Sequence, residues 1–237
     1  MCIVCKWNSG EEKLDLNIEK LDCSDCTAVT DIPLLPNLKS IDCVHCTALT
    51  NIPVLLELTD LFCPGCTALT NIPLLPNLIR LNCWSCIRLT TIPLLPVLKY
   101  LYCQNCPNLT SIPEFSKLKE LYCSNCPNLT SIANLPNIQE LVCTGCTSLT
   151  SIHVKPDLYY IDYRGCKWIS ECNGYENNIR TLRSCQAIFK RKLTAKKLDK
   201  LIPVVTAIYY SPGCKGEFIA HRDFSEKARK QDTETEV

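Results

Sequence analysis

Seven times between Cys23 and Cys146 the chain repeats a pair of cysteines with two residues between them, each pair starting 20 residues after the last. The pairs are Cys23/Cys26, Cys43/Cys46, Cys63/Cys66, Cys83/Cys86, Cys103/Cys106, Cys123/Cys126 and Cys143/Cys146. A unit this short buries too little apolar surface to fold alone. Only stacking on near-identical neighbours gives it a core, so a strict period of this length means a solenoid.

The unit reads L-x-C-x-x-C-x-x-L-T-x-I-P-x-L-P-x-L-x-x, clearest in Leu61 to Arg80. Leu38, Ile41, Cys43, Cys46 and Leu49 fall on the successive anchors of the leucine-rich repeat pattern, with one extra residue before the last. Ile41-Asp42-Cys43 is then a short strand of alternating faces, with Ile41 and Cys43 inward and Ser40, Asp42 and Val44 on the concave face. The returning half carries two prolines in most copies, such as Pro33/Pro36 and Pro73/Pro76. Proline removes a donor and excludes a helix interior, so the convex side is expected to be irregular, 3₁₀ or polyproline-like. The expected fold class is an α/β-type solenoid of short parallel strands with a small, mainly helical C-terminal cap. Its expected bounds are 1–166 for the solenoid, with a degenerate first coil, and 167–237 for a basic cap with a frayed end.

The run Ile-Pro-Leu-Leu-Pro-Asn-Leu (Ile72 to Leu78) resembles the short repeats of bacterial effector leucine-rich proteins. The doubled cysteines and the tail segment Ile208 to Gly216 resemble the leucine-rich repeat proteins of giant, mimivirus-like DNA viruses. That resemblance implies the fold and a viral setting; it names no partner, because one scaffold serves many.

Of 20 cysteines, 14 obey the period and are read as two buried thiol ladders, since free cysteine packs as a small hydrophobe. C-x-x-C is also half of a zinc site. The pairs recur in every coil without matching histidines, so no metal and no cofactor is assigned. A thiol-based metal or redox protein stays as the least favoured alternative. Met1-Cys2-Ile3-Val4-Cys5 has no basic n-region or apolar h-region, and no apolar run approaches a membrane span. An intracellular, reducing compartment is expected (host cytoplasm or virion if the viral resemblance holds), with no membrane contact.

Charge is divided along the chain. Residues 1–165 hold 11 Lys/Arg and 15 Asp/Glu, whereas residues 166–237 hold 14 and 9. The acidic solenoid is a poor partner for phosphate, which leaves the basic tail as the one candidate surface for nucleic acid. At the N-terminus, Cys2 and Cys5 precede the first pair by 21 residues, and acidic residues replace apolar and proline positions; a capping coil is expected there. At the far end Tyr163 replaces a first cysteine, and Trp168 is expected to lie as a lid on the last coil. Ile179 to Leu193 fits an amphipathic helix, and a second short helix is expected over Ala195 to Leu201.

The inward columns barely vary, but the concave ones do. Phe62, Trp84, Tyr100, Tyr102 and Tyr122 are expected to form one contiguous patch, edged by Arg80, Lys99, Lys119 and Glu120. Aromatics with an arginine on an exposed sheet suit protein recognition. The plainer account is that they cover the sheet and pair across its strands. His45, His153 and His221 lie in three unrelated settings, and no catalytic grouping or phosphate loop can be built from them. The tail is also too short for the ubiquitin-ligase domain of some bacterial effectors. The sequence therefore points to a non-enzymatic module that binds a protein or peptide, with no small-molecule substrate. A structural repeat protein without a discrete partner is the rival.

Overall fold

The computed structural model describes residues 2–11, 13, 15–150, 152, 158–167 and 194–200. The chain forms two compact units, Met1–Phe189 and Lys190–Val237. In the second, residues 194–200 are helical and exposed, where the second short helix was expected. Trp168, the helix expected over 179–193 and the segment 208–216 lie outside the described residues.

The solenoid lies in the first unit. Each coil contributes one three-residue strand: β1 (Lys20–Asp22), β2 (Ser40–Asp42), β3 (Asp60–Phe62), β4 (Arg80–Asn82), β5 (Tyr100–Tyr102), β7 (Glu120–Tyr122), β9 (Glu140–Val142) and β10 (Tyr160–Asp162). They form one eight-stranded parallel sheet in chain order, and each residue pairs with the one 20 positions on, as Leu61 pairs with Leu81. The middle residue of every strand points inward and is buried.

Per coil, five aliphatic side chains and two cysteines fill the interior; in one coil these are Leu61, Cys63, Cys66, Leu69, Ile72, Leu75 and Leu78, each at most 4% exposed. Each aliphatic burial is worth about 1.5–3 kcal/mol. A lone coil would forfeit most of that, which is why the strands exist only as a stack.

The return side is extended backbone broken by tight turns. Pro36 and Asn37 occupy such a turn, closed by Leu38 N donating to Leu35 O at 3.2 Å. Proline is preorganised for this central position. A column of threonines links the coils on this side: Thr130 N donates to Thr110 O at 2.9 Å and Thr130 Oγ1 to the same atom at 3.1 Å. The convex side, expected to be irregular, 3₁₀ or polyproline-like, forms a small second sheet at one place. β6 (Ser111–Ile112) pairs with β8 (Ser131–Ile132), and Ala133 N donates to Ile112 O at 3.0 Å. Residue 133 is alanine where most coils have proline, so the donor is present.

The N-terminal end also differs from the expected coil. Ile3–Asn8 is a helix, α1, and its Val4 and Cys5 are buried in the core. Val4 seats on the solenoid from a helical turn, so residues 2–8 contribute no strand to the sheet.

Candidate functional site

The sheet surface depends on the turn that follows each strand. After the first cysteine the chain takes two residues and folds back, with Cys46 N donating to Cys43 O at 3.2 Å. The residue before the second cysteine sits in the left-handed region in every coil: Asp25, His45, Gly65, Ser85, Asn105, Asn125, Gly145 and Gly165, with φ from 54° to 76°. Glycine, asparagine and aspartate tolerate this conformation best. His45 also lays its ring over Gly65, where a side chain on residue 65 would collide with it.

The second cysteine of each coil then reaches back one coil. Cys46 Sγ donates to Cys23 O at 2.9 Å, Cys66 to Cys43 O at 3.0 Å, and the series continues to Cys166 and Cys143 O at 3.3 Å. This is the ladder expected from the repeat position. These thiols act as protonated donors and packing groups. At Cys66, one of these donors, the hydrogen bond with Cys43 and then burial drive the pKa well above its ordinary value, far from the thiolate a nucleophile needs.

On the concave face the strand register brings most of the expected residues together. Tyr102 and Tyr122 are paired across β5 and β7, and their rings stack with centroids 5.3 Å apart and planes at 30°. Tyr102 donates its hydroxyl to Glu120 Oε2 and Tyr122 donates to Glu140 Oε2, both at 2.7 Å. Burial, then the bond to Glu120, push Tyr102 well above the usual tyrosine value. The bond to Glu140, then burial, push Tyr122 up to about 12. Both rings stay neutral and half-buried under ordinary conditions.

In the neighbouring column, Arg80 lies over the Tyr100 ring at 5.4 Å and pairs with Asp60 at 2.9 Å. Trp84 follows β4 on the adjoining turn and is 43% exposed.

Two details differ from the expected patch. Asn82 stands between Phe62 and Tyr102 in the register, so Phe62 is two strands from the stacked pair. Glu120 lies within the patch, as the acceptor for Tyr102, and is no edge residue.

A family model described as leucine-rich repeats, in two copies, matches residues 96–137, the coils that carry the tyrosine pair. The fold is the leucine-rich repeat. Solved structures similar to the chain include the leucine-rich repeat protein of T. pallidum (TM-score 0.45, 20% identity, 56% of this chain and 72% of that one). Others are leucine-rich repeat proteins of Eubacterium ventriosum (0.48, 18%, 66% and 50%) and Bacteroides ovatus (0.43, 20%, 60% and 48%). No curated protein matches the sequence. Leucine-rich repeats commonly serve protein–protein interaction and typically carry no catalysis of their own.

Two features of this repeat escape a reading of the sequence. Asp22 and Asn82, in the same concave column as the tyrosine pair, accept from the main-chain N–H two residues on, at 2.9 and 3.2 Å. They initiate the turn, as short Asx side chains do. On the convex side Leu34, Val54, Leu74 and Leu94 recur at the coil period and are 51–67% exposed. This apolar column ends where Glu114 and Asn134 follow in the same position. The recurrent apolar residue just before an anchor leucine (Leu74 before Leu75) was its only signal, at a position the repeat pattern leaves unspecified.

Proposed function

We propose that the solenoid is a non-enzymatic recognition module that holds a protein or peptide segment on its concave face, centred on Tyr102 and Tyr122. The observation that carries this reading is the stacked pair with both hydroxyls already tied to carboxylates. Such rings offer apolar area in a fixed pose, so a partner pays little ordering entropy to use them. Arg80, held by Asp60 and Tyr100, adds a second anchor, and Phe62 and Trp84 extend the apolar surface. With Asp60, Glu120 and Glu140 around the rings, the surface suits a segment that presents apolar and cationic side chains. The basic residues beyond the repeat would cap the solenoid or add a second contact. A reducing setting suits thiols used as hydrogen-bond donors to carbonyls; the resemblance of the doubled cysteines and tail to giant-virus proteins would place it in a host cytoplasm or a particle.

The test is affinity capture with mass spectrometry, comparing wild type with the triple variant Phe62→Ser, Tyr102→Ser and Tyr122→Ser. The expected result is a defined partner retained by wild type and lost by a variant with an unchanged circular dichroism spectrum. Identical recovery by the two folded proteins would remove the patch as the site.

The exposed convex column favours a second reading, a structural protein packed into an assembly through Leu34, Val54, Leu74 and Leu94. Leu74→Asp with Leu94→Asp should then abolish self-association in sedimentation while leaving capture by the concave face intact.

A further inference from the structure

The cysteine ladder has one irregular end. From Cys46 onward each second cysteine finds a main-chain carbonyl one coil earlier. For Cys26 the preceding stretch is α1, and what meets its sulfur is another sulfur, that of Cys5 at 3.2 Å. Cys2 joins them, and the three Sγ atoms lie within 4.8 Å of one another, the one such group of potential metal ligands among the described residues. Cys2 and Cys5 form a C-x-x-C step on one element and Cys26 comes from another. Two short-spaced ligands and one distant one are how small metal sites are assembled.

We propose that Cys2, Cys5 and Cys26 bind a single thiophilic metal ion, as a three-thiolate zinc or copper(I) site that clamps α1 to the first coil. Zinc–sulfur bonds of about 2.3 Å place sulfur pairs roughly 3.8 Å apart in tetrahedral geometry, a spacing this trio reaches with small side-chain rotations. Soft sulfur donors select zinc and copper(I) over magnesium or calcium. Loading zinc converts three thiols into three thiolates, with three protons leaving to solvent and one water completing the fourth position; copper(I) needs the three sulfurs alone.

Cys5 is buried and Cys26 largely so, while Cys2 is only partly buried, so an ion can enter from the Cys2 side. The periodic cysteines remain core residues. The site exists because the 21-residue step at the N-terminus takes Cys2 and Cys5 off the ladder. Its consequence is local: the metal ties down the element whose Val4 closes the apolar end of the solenoid.

The test uses the full chain, reduced and stripped with chelator, then offered Zn²⁺ and Cu⁺ separately against a chromophoric competitor. The expected result is one ion per chain with release of protons. Affinity should fall at least roughly 100-fold in Cys5→Ser and Cys26→Ser, beyond the 10–100-fold typical of losing a supporting group, and be unchanged in Cys106→Ser. Should a variant misfold, alkylation mapped by mass spectrometry on wild type decides, since metal should protect Cys2 and Cys26 from labelling. No uptake of either ion, uptake unchanged in both folded variants, labelling unaffected by metal, or a Cys5–Cys26 disulfide that persists in reduced, metal-treated protein would each overturn the proposal.

Discussion

The thiol of Cys86 donates to the main-chain oxygen of Cys63, 3.1 Å away in the preceding coil. The same oxygen accepts from Cys66 N across its own turn at 3.3 Å. One carbonyl thus closes a turn with one lone pair and joins two coils with the other. Sulfur suits the place because it is apolar enough for a fully buried site and still carries a donor.

Cys86→Ala removes the donor and a buried sulfur while the Cys63 carbonyl keeps its turn bond, so the cost should be about 1–2 kcal/mol. Cys86→Ser keeps a donor and should cost less than alanine. Urea unfolding midpoints of the two variants beside wild type check the order. Alanine equal to wild type would mean that the ladder packs without bonding.

The left-handed turn gives an opposite pair of outcomes. Ser85 holds φ 57° without the local side-chain compensation that asparagine brings. Left-handed backbone costs a non-glycine residue about 1–2 kcal/mol, and glycine's extra chain entropy costs about 0.5–1 kcal/mol. Ser85→Gly should therefore be neutral to stabilising by up to about 1 kcal/mol. Gly65→Ala should destabilise, because φ is 73° and the new methyl group meets the His45 ring. Thermal melts of both variants test the pair together.

What could be read from the chain follows from what repeats. Leu61, Cys63, Leu69 and their equivalents barely vary, and stay apolar where they do (Ile41, Tyr163, Val29), so inward and outward positions were legible before any coordinates. The concave columns were legible as positions but not as roles. Asp22 and Tyr102 share a column, yet one starts a turn and the other stacks on a neighbour; that difference lies in side-chain reach, which the period does not encode. The two ends were least legible. At Cys2–Cys5 the motif persists after the coil that gave it meaning has become a helix, so the same letters acquire new neighbours.

The turn role of Asp22 predicts a pH effect. The hydrogen bond from the Ser24 main-chain N–H holds the Asp22 carboxyl below its usual value. The folded state thus binds the proton less readily than the unfolded chain. This contribution to stability is complete above the unfolded value near 3.9 and disappears as pH falls through the lower folded value. Asp22→Asn should remove that part of the acid sensitivity with little cost at neutral pH, because Asn82 makes the equivalent bond uncharged. Denaturation midpoints from neutral pH down into the acid range measure it, and identical slopes for the two proteins would refute the assignment.

The tyrosine pair titrates in the other direction and ties stability to recognition. Tyr122 is raised to about 12 first by its bond to Glu140. Its neutral form is therefore favoured by folding, and the contribution is intact below about 10, the ordinary tyrosine value, and lost as pH climbs toward the folded value. Glu140→Gln should move Tyr122 back toward the ordinary value, visible as earlier phenolate absorbance. Tyr102→Phe keeps the ring beside Tyr122 but frees Glu120, whereas Tyr102→Ser removes the ring as well. If the stacked rings carry recognition, Phe should retain most of the affinity for the captured partner, while Ser costs 2 kcal/mol or more, about 30-fold in Kd, as hot-spot truncations do. Equal loss in both would shift the recognition from the ring to the Tyr102 hydroxyl and the Glu120 carboxylate it holds, because both variants lose that bond.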